Sequence, residues 1–209
     1  MKTLLIDYGS GNLHSAAKAL EAAGFNSGGH SLVVSSNPQE AADADALVLP
    51  GQGHFRQVMQ AFAASGFEAV VRSHIASGKA FLGICVGMQI LYQGSEESEI
   101  AGLGLLQGYL KRFPKGLPVP QMQWNKLQAI GSSPLLTGLD ANSFAYFVHS
   151  YYVPVGAAEH GAISEYGLPF LSVVSSGNLH ATQFHPEKSQ SVGLAMLENF
   201  RLWAEAHIG

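Results

Sequence analysis

A turn with almost no room for side chains beside its central residue constrains this chain most: Gly83-Ile84-Cys85-Val86-Gly87. Ahead of it, Ala80 to Ile84 is an apolar run of strand length, and behind it the apolar spacing from Val86 to Tyr92 predicts a helix. A cysteine at that joint, with a glycine two residues away on each side, has the pattern of a sharp strand-to-helix turn that lifts a nucleophile above a sheet. Backbone N–H groups at a helix start favour a thiolate there. Taken alone, Cys85 reads as a small buried hydrophobe, because free cysteine is among the most buried residue types. The paired glycines and the strand-to-helix setting turn the reading toward a reactive thiol. Such a thiol still needs a base.

Cys85 is the only cysteine among 209 residues, so no internal disulfide exists and a free thiol favours a reducing, cytoplasmic setting. The net charge is -4 with scattered lysines and arginines, which points away from nucleic acid and from a polybasic membrane surface. Asp7 interrupts the apolar start before a signal-peptide core forms, and no apolar run approaches the roughly 18 residues of a membrane helix. No linker-like stretch divides the chain, so one domain spanning 1–209 is expected. Hydrophobic residues make up 47% of the chain, high enough to suggest a surface shared with another chain.

Strand and helix signals alternate. Thr3 to Tyr8 reads as a strand, Gly9 to Asn12 as a loop, and Leu13 to Ala23 as a helix stopped by Gly24. Leu32 to Val34 is a second strand, Pro38 to Ala44 a small helix, and Ala46 to Pro50 a third strand. This order predicts an α/β fold with a mostly parallel central sheet flanked by helices, whose ligands bind at the C-terminal strand ends. The segment Gly108 to Pro120 reads as antiparallel strand pieces and surface turns, and a smaller antiparallel sheet is expected beside the parallel one. The Gly9-Ser10-Gly11 loop lacks the full dinucleotide fingerprint, and no cofactor or metal is called for.

Pro50-Gly51-Gln52-Gly53 follows the third strand and belongs on the same sheet edge as Cys85. Its glycines permit a peptide flip that would aim N–H groups at a developing oxyanion; an ordinary Pro-Gly turn into the helix Phe55 to Phe62 accounts for it equally well. Trp124 stands among polar residues, which suits either core or a surface contact, and the aromatic strand Ala145 to Tyr152 reads as packing. A strand Leu179 to Phe184 ends at His185-Pro186-Glu187-Lys188. Extended residues two apart point the same way, so His185 and Glu187 project together as base and orienter. Alone, that motif is short enough to arise by chance. With Cys85 and the 50–53 turn it completes an acyl-transfer site. Ser191 to Ala206 closes the chain as an amphipathic helix offering Val192, Leu194, Ala195, Met196, Leu197, Phe200 and Leu202 to the core.

These residues resemble the class I, triad-type glutamine amidotransferases. Gly83 to Gln89 is similar to that family's nucleophile motif, and Gln183-Phe184-His185-Pro186-Glu187 to its His-Glu motif. Within the family, Asp7 to Leu13, Pro50 to Phe55, Trp124-Asn125, Tyr146 to Tyr151 and His185 to Ser189 most resemble the glutaminase subunits of imidazole glycerol phosphate synthases. The resemblance implies hydrolysis of L-glutamine through a thioester on Cys85, with His185 moving protons and Glu187 orienting it. It implies an oxyanion hole around Gly51, Gln52, Gly53 and Val86, and places Gln89, Ser150 and Tyr151 at the substrate's amino-acid end. It sets Asn12, Trp124, Tyr146 and Lys188 at the exit toward a (β/α)8 cyclase partner, in a heterodimer of histidine biosynthesis. Gln52 stands where that family most often carries valine. A glutaminase for another synthase, or a silent docking subunit with the same fold, is the alternative reading; the intact Cys85, His185 and Glu187 weigh against silence.

Overall fold

The structure, a computed structural model, describes residues 1–207. In chain order it comprises β1 (Lys2–Ile6), α1 (Leu13–Ala22), β2 (Ser31–Ser35), β3 (Ala46–Leu49), α2 (Phe55–Ser65), α3 (Phe67–Ala76), β4 (Ala80–Ile84) and α4 (Val86–Gln89). There follow β5 (Gly94–Ser95), β6 (Tyr109–Arg112), β7 (Gln121–Lys126), β8 (Gln128–Ile130), β9 (Phe144–His149), β10 (Tyr151–Pro154), β11 (Gly161–Glu165), β12 (Pro169–Ser176), β13 (Leu179–Thr182) and α5 (Gln190–Ala206).

The main sheet runs β2-β1-β3-β4-β13-β12-β10-β6-β5, with β11 and β8 branching from β12. Its first five strands are mutually parallel, and from β12 through β6 the pairing is antiparallel. β3, β4 and β13 are buried along their whole length, as expected of parallel strands covered on both faces. β7 and β9 form a separate antiparallel pair, in which Trp124 lies opposite Tyr146. The predicted α/β architecture with a smaller antiparallel sheet is what the structure has.

β1, β3, β4 and β13 are consecutive parallel neighbours, so the loops leaving their C-terminal ends share one sheet edge. Those loops carry Gly9 to Gly11, Pro50 to Gly53, Cys85 and His185.

Several boundaries differ from expectation. The predicted small helix at Pro38 is a 3-10 turn of four residues, Pro38–Ala41. The helix after Phe55 runs on to Ser65, and a further helix, α3, follows at once because Gly66 takes φ +78° and turns the chain. The helix after Cys85 ends at Gln89, short of Tyr92. Every residue from Val86 to Tyr92 is buried, so its apolar sequence reflects all-round burial, which carries no periodicity. In α5, Met196, Leu197 and Phe200 are in the core as predicted, while Leu194 and Leu202 are exposed; Gly193 and Ala204 take the remaining inner positions.

An aromatic cluster clamps the two-stranded sheet onto the main one. Phe147 of β9 packs edge-on against Phe170 of β12 and Phe184, with ring centroids 5.6 and 5.3 Å apart. Such pairs contribute about 0.5–1.5 kcal/mol each beyond area burial. Phe184 directly precedes His185, so this packing also anchors the strand end that carries the histidine.

Candidate active site

Cys85 sits on the expected turn with φ 55° and ψ -111°, a strained backbone for a residue with a side chain. The flanking glycines are required by contact. A Cβ on Gly87 would collide with the Leu49 carbonyl oxygen, and one on Gly83 would lie 3.0 Å from the Gly87 oxygen. Neighbouring backbone locks the turn: the Cys85 N–H donates to the Thr182 carbonyl over 2.7 Å, tying β4 to β13. Cys85 is buried but lines a cavity at the C-terminal edge of the sheet, with Gly9 to Gly11, Gln52, Gly53, Val86, Gln89, Glu97, Ser150, Tyr151, His185 and Lys188 among its other walls.

His185 enters from the end of β13. Its Nδ1–H donates to Glu187 Oε1 over 2.7 Å, and both side chains are about 95% buried (side-chain exposures 5% and 4%). The contact is not the alternation of an extended strand. Pro186–Lys188 form a 3-10 turn that begins after His185 and folds the carboxylate back under the ring, with Pro186 supplying the preset φ. A carboxylate can only accept, so Nδ1 carries the proton and Nε2 faces the chemistry. Burial alone would lower the pKa of His185, but the negative charge of Cys85 and its hydrogen bonding, followed by Glu187, override burial and raise it to about 10. At neutral pH His185 is therefore held as the imidazolium. Ser189 secures the loop, donating its hydroxyl to the His185 carbonyl over 2.8 Å and accepting the Tyr146 N–H over 3.0 Å.

The 50–53 turn is in place, in a particular state. The Val86 N–H donates to the Gly51 carbonyl over 3.4 Å, so this carbonyl fills the position where an oxyanion would be received. Neighbours hold the turn there: the Tyr8 hydroxyl donates to the Pro50 carbonyl over 2.9 Å and the Ser10 hydroxyl to the Gln52 carbonyl over 3.2 Å. A Cβ on Gly51 would meet the backbone nitrogen of Gly87, which is why glycine is required at 51.

Gln89, Ser150 and Tyr151 lie together on the cavity wall. Their groups are partly committed within the protein. The Tyr151 carbonyl accepts from Gln89 Nε2 over 3.2 Å and from His149 Nδ1 over 2.8 Å, and the Ser150 carbonyl accepts the Phe113 N–H over 3.2 Å. Gln89 Nε2 also donates to Gln183 Oε1 over 3.1 Å, so both of its hydrogens are spent and its Oε1 is the atom left for a ligand.

Trp124 and Tyr146 pack edge to face, centroids 5.9 Å apart, on the outer side of the small sheet. Trp124 is 44% exposed, which decides its reading as a surface residue over a core one. Lys188 follows Glu187 on the cavity wall. Asn12 caps α1, accepting the Ser15 N–H over 3.3 Å at the end of the Gly9 to Gly11 loop.

The sequence reading missed two polar side chains here. Glu97 lines the cavity and holds the start of α2, its Oε2 accepting the Phe55 N–H over 2.8 Å and its Oε1 lying 3.3 Å from His54. The other is Gln183, fully buried behind Cys85. Glu97 lies in an acidic loop whose sequence reads as solvated surface, and Gln183 opens the His-Glu motif, where the sequence assigns roles to His185 and Glu187 alone.

Comparison with known proteins agrees with this geometry. Residues 4–203 match the family model described as Glutamine amidotransferase class-I. The chain is 54% identical to the imidazole glycerol phosphate synthase subunit HisH of Deinococcus radiodurans, covering 96% of this chain and 93% of that protein. It is 53% identical to a HisH subunit of Thermus thermophilus, over 98% and 99%, and 45% identical to that of Aquifex aeolicus, over 98% of both. Among solved structures, a glutamine amidotransferase superposes with a TM-score of 0.72 at 19% identity, over 97% of this chain and 98% of that one, and so shares the fold. A Thermoplasma acidophilum protein described as a GMP synthase component shares it too, with a TM-score of 0.71 at 18% identity, over 99% and 95%. The chain belongs to the class-I glutamine amidotransferase family, among the HisH subunits of imidazole glycerol phosphate synthase.

Proposed function

We propose that this chain is the glutaminase of an imidazole glycerol phosphate synthase, releasing ammonia from L-glutamine for a (β/α)8 cyclase subunit that makes imidazole glycerol phosphate and AICAR in cytoplasmic histidine biosynthesis. The observation that carries the reading is the convergence of Cys85, His185 and the 50–53 turn on neighbouring parallel strand ends around one cavity.

The Cys85 thiolate attacks the side-chain carbonyl carbon of glutamine, and the carbonyl electrons move to oxygen. His185 gives its Nε2 proton to the amide nitrogen, the C–N bond breaks, and ammonia leaves a glutamyl thioester. Neutral His185 then takes a proton from water, hydroxide adds to the thioester, and Cys85 departs as thiolate with glutamate formed. Glu187 keeps the ring in the tautomer that both steps need. Val86 N–H stabilises the oxyanion once the Gly51 carbonyl rotates away, and the same rotation brings in the Gln52 N–H as a second donor; a donor of this kind is worth roughly 3–4 kcal/mol. Glu97 and Gln89 Oε1 supply acceptors for the substrate's ammonium group, with the 150–151 backbone completing the cradle.

The partner face is the outer side of the small sheet. Alternation along β9 sends Ala145, Phe147 and His149 inward, and leaves Phe144 and Tyr146 outside beside Met122 and Trp124 of β7. Met122 is 62% exposed, a poor disposition for a chain acting alone. Val148 on this sheet also lines the cavity, as does Lys188, so the face adjoins the point where ammonia forms.

Glutamate release, measured with and without the cyclase and its nucleotide substrate, tests the reading. Release should be weak for the chain alone and strong in the loaded complex, and Cys85→Ala should abolish glutamine-dependent synthesis while ammonia-dependent synthesis persists. Equal loss of both activities would contradict it.

A further inference from the structure

A relay of two buried amides runs from the substrate cradle to the nucleophile. It starts at the Tyr151 carbonyl, a group that can only accept. Gln89 faces it over 3.2 Å, so Gln89 must present its NH2 there; a flipped amide would set two oxygens against each other. The second hydrogen of that NH2 reaches Gln183 over 3.1 Å, so the Gln183 atom it meets is the oxygen. With its oxygen fixed, Gln183 has its NH2 on the opposite arm, 4.0 Å from Cys85 Sγ. One backbone carbonyl thus sets the orientation of both amides. Gln183 is 0% exposed, so water offers it no alternative partner.

From this geometry we infer that Gln183 is a positioning residue for the nucleophile: it aims an N–H at Cys85 Sγ, favours the thiolate, and is held in that orientation by Gln89 and the Tyr151 carbonyl. An amide N–H can donate to a thiolate but gains little from a thiol, whose sulfur is a weak acceptor. The arrangement complements His185. The imidazolium gives up its proton during ammonia release, whereas the Gln183 N–H remains throughout the cycle and again meets the thiolate when the thioester is cleaved. The inference deepens the glutaminase reading and rests on it for its role in turnover.

The test reads the thiol directly, in the full chain bound to its cyclase. The rate of Cys85 alkylation by iodoacetamide is followed against pH for the wild type, Gln183→Met and Gln183→Glu. The midpoint should move up by about one pH unit in Gln183→Met, the size expected for losing one hydrogen bond to a charged group. It should move further in Gln183→Glu, which keeps the shape and brings a competing negative charge. Gln89→Met should shift it less in the same direction, and the Gln89→Met, Gln183→Met double variant should shift it no more than Gln183→Met alone. A purely structural role would lower the thermal unfolding midpoint and leave the alkylation midpoint in place, and that result overturns the proposal. Should Gln183→Met fail to fold, the near-isosteric Gln183→Glu decides by the same criterion. The readout needs no glutamine: a wild-type complex that releases no glutamate refutes the glutaminase reading, while an unmoved alkylation midpoint refutes this one.

Discussion

The Val86 amide donates to the Gly51 carbonyl over 3.4 Å, so the first N–H after the nucleophile is occupied by the chain itself. Cys85, His185 and Glu187 are assembled, yet the place where negative charge would develop holds a carbonyl oxygen. On the proposed glutaminase reading, rotation of the 51–52 peptide would free the Val86 N–H for the oxyanion. A partner that favoured the rotated peptide would then raise activity without moving a triad residue.

Gly51 is the position least able to change. An added Cβ meets the Gly87 nitrogen and lies 2.8 Å from the Val86 carbonyl carbon, so the turn must move off the elbow. Gly51→Ala should reduce kcat for glutamine hydrolysis by about 10²–10³-fold, the cost of one lost oxyanion donor. Steady-state kinetics in the complex checks this; retention of most of kcat would show that the turn takes no part.

Ser10 acts in the other direction. Its hydroxyl holds the Gln52 carbonyl over 3.2 Å in the closed arrangement, at an exposed site. Ser10→Ala removes that restraint from the closed state, and basal glutamate release by the isolated chain should rise about 2- to 10-fold, the worth of one ordinary hydrogen bond. Unchanged or lower basal release would show that Ser10 does not restrain the turn.

Glu187→Gln replaces a pure acceptor beside His185 Nδ1 with a group that can donate, which allows the wrong tautomer. Glutamine-dependent kcat should fall by about 10³-fold or more, in line with amide replacement of a triad carboxylate, while ammonia-dependent synthesis by the cyclase is kept. A loss below tenfold would remove Glu187 from the mechanism.

Acid should destabilise the fold through three other histidines. Burial lowers the pKa values of His74, His149 and His180 to about 4, with nearby positive charge adding to the effect. Their unfolded forms take up protons from about pH 6.5 downward, so the unfolded state binds more protons and stability is lost as pH falls from about 6.5 toward about 4. Each group contributes a slope of at most about 1.4 kcal/mol per pH unit. Urea midpoints measured across that window should fall steeply, and His180→Phe should flatten the dependence by about one proton. A pH-independent midpoint would contradict the buried neutral assignment.

The placement of the candidate site is legible in the sequence because its residues sit at strand ends. Cys85 announces itself through glycines that its turn cannot do without, and the Pro50 to Gly53 loop follows a short apolar strand in plain view. His185 and Glu187 do meet, but a 3-10 turn at Pro186, not strand alternation, brings them together. What stayed hidden depends on tertiary placement. Gly66 divides two helices by a single positive φ inside an unbroken helical pattern. The segment after Gln89 is apolar on every side, so its spacing holds no boundary. Glu97 and Gln183 reach the site from a loop and from behind a strand, and only the fold reveals what they face. The direction of the Gly51 carbonyl is a matter of one peptide rotation, to which glycine is indifferent.

On the proposed glutaminase reading, Cys85 carries the glutamyl group during turnover. Intact-mass spectrometry of the complex, quenched in acid during turnover, measures it most directly. A fraction of this chain heavier by one glutamine less one ammonia is expected, present in the wild type, mapped to Cys85 and absent from Cys85→Ala. Sustained glutamate release by Cys85→Ala at the wild-type rate, with no adduct on either protein, would contradict it.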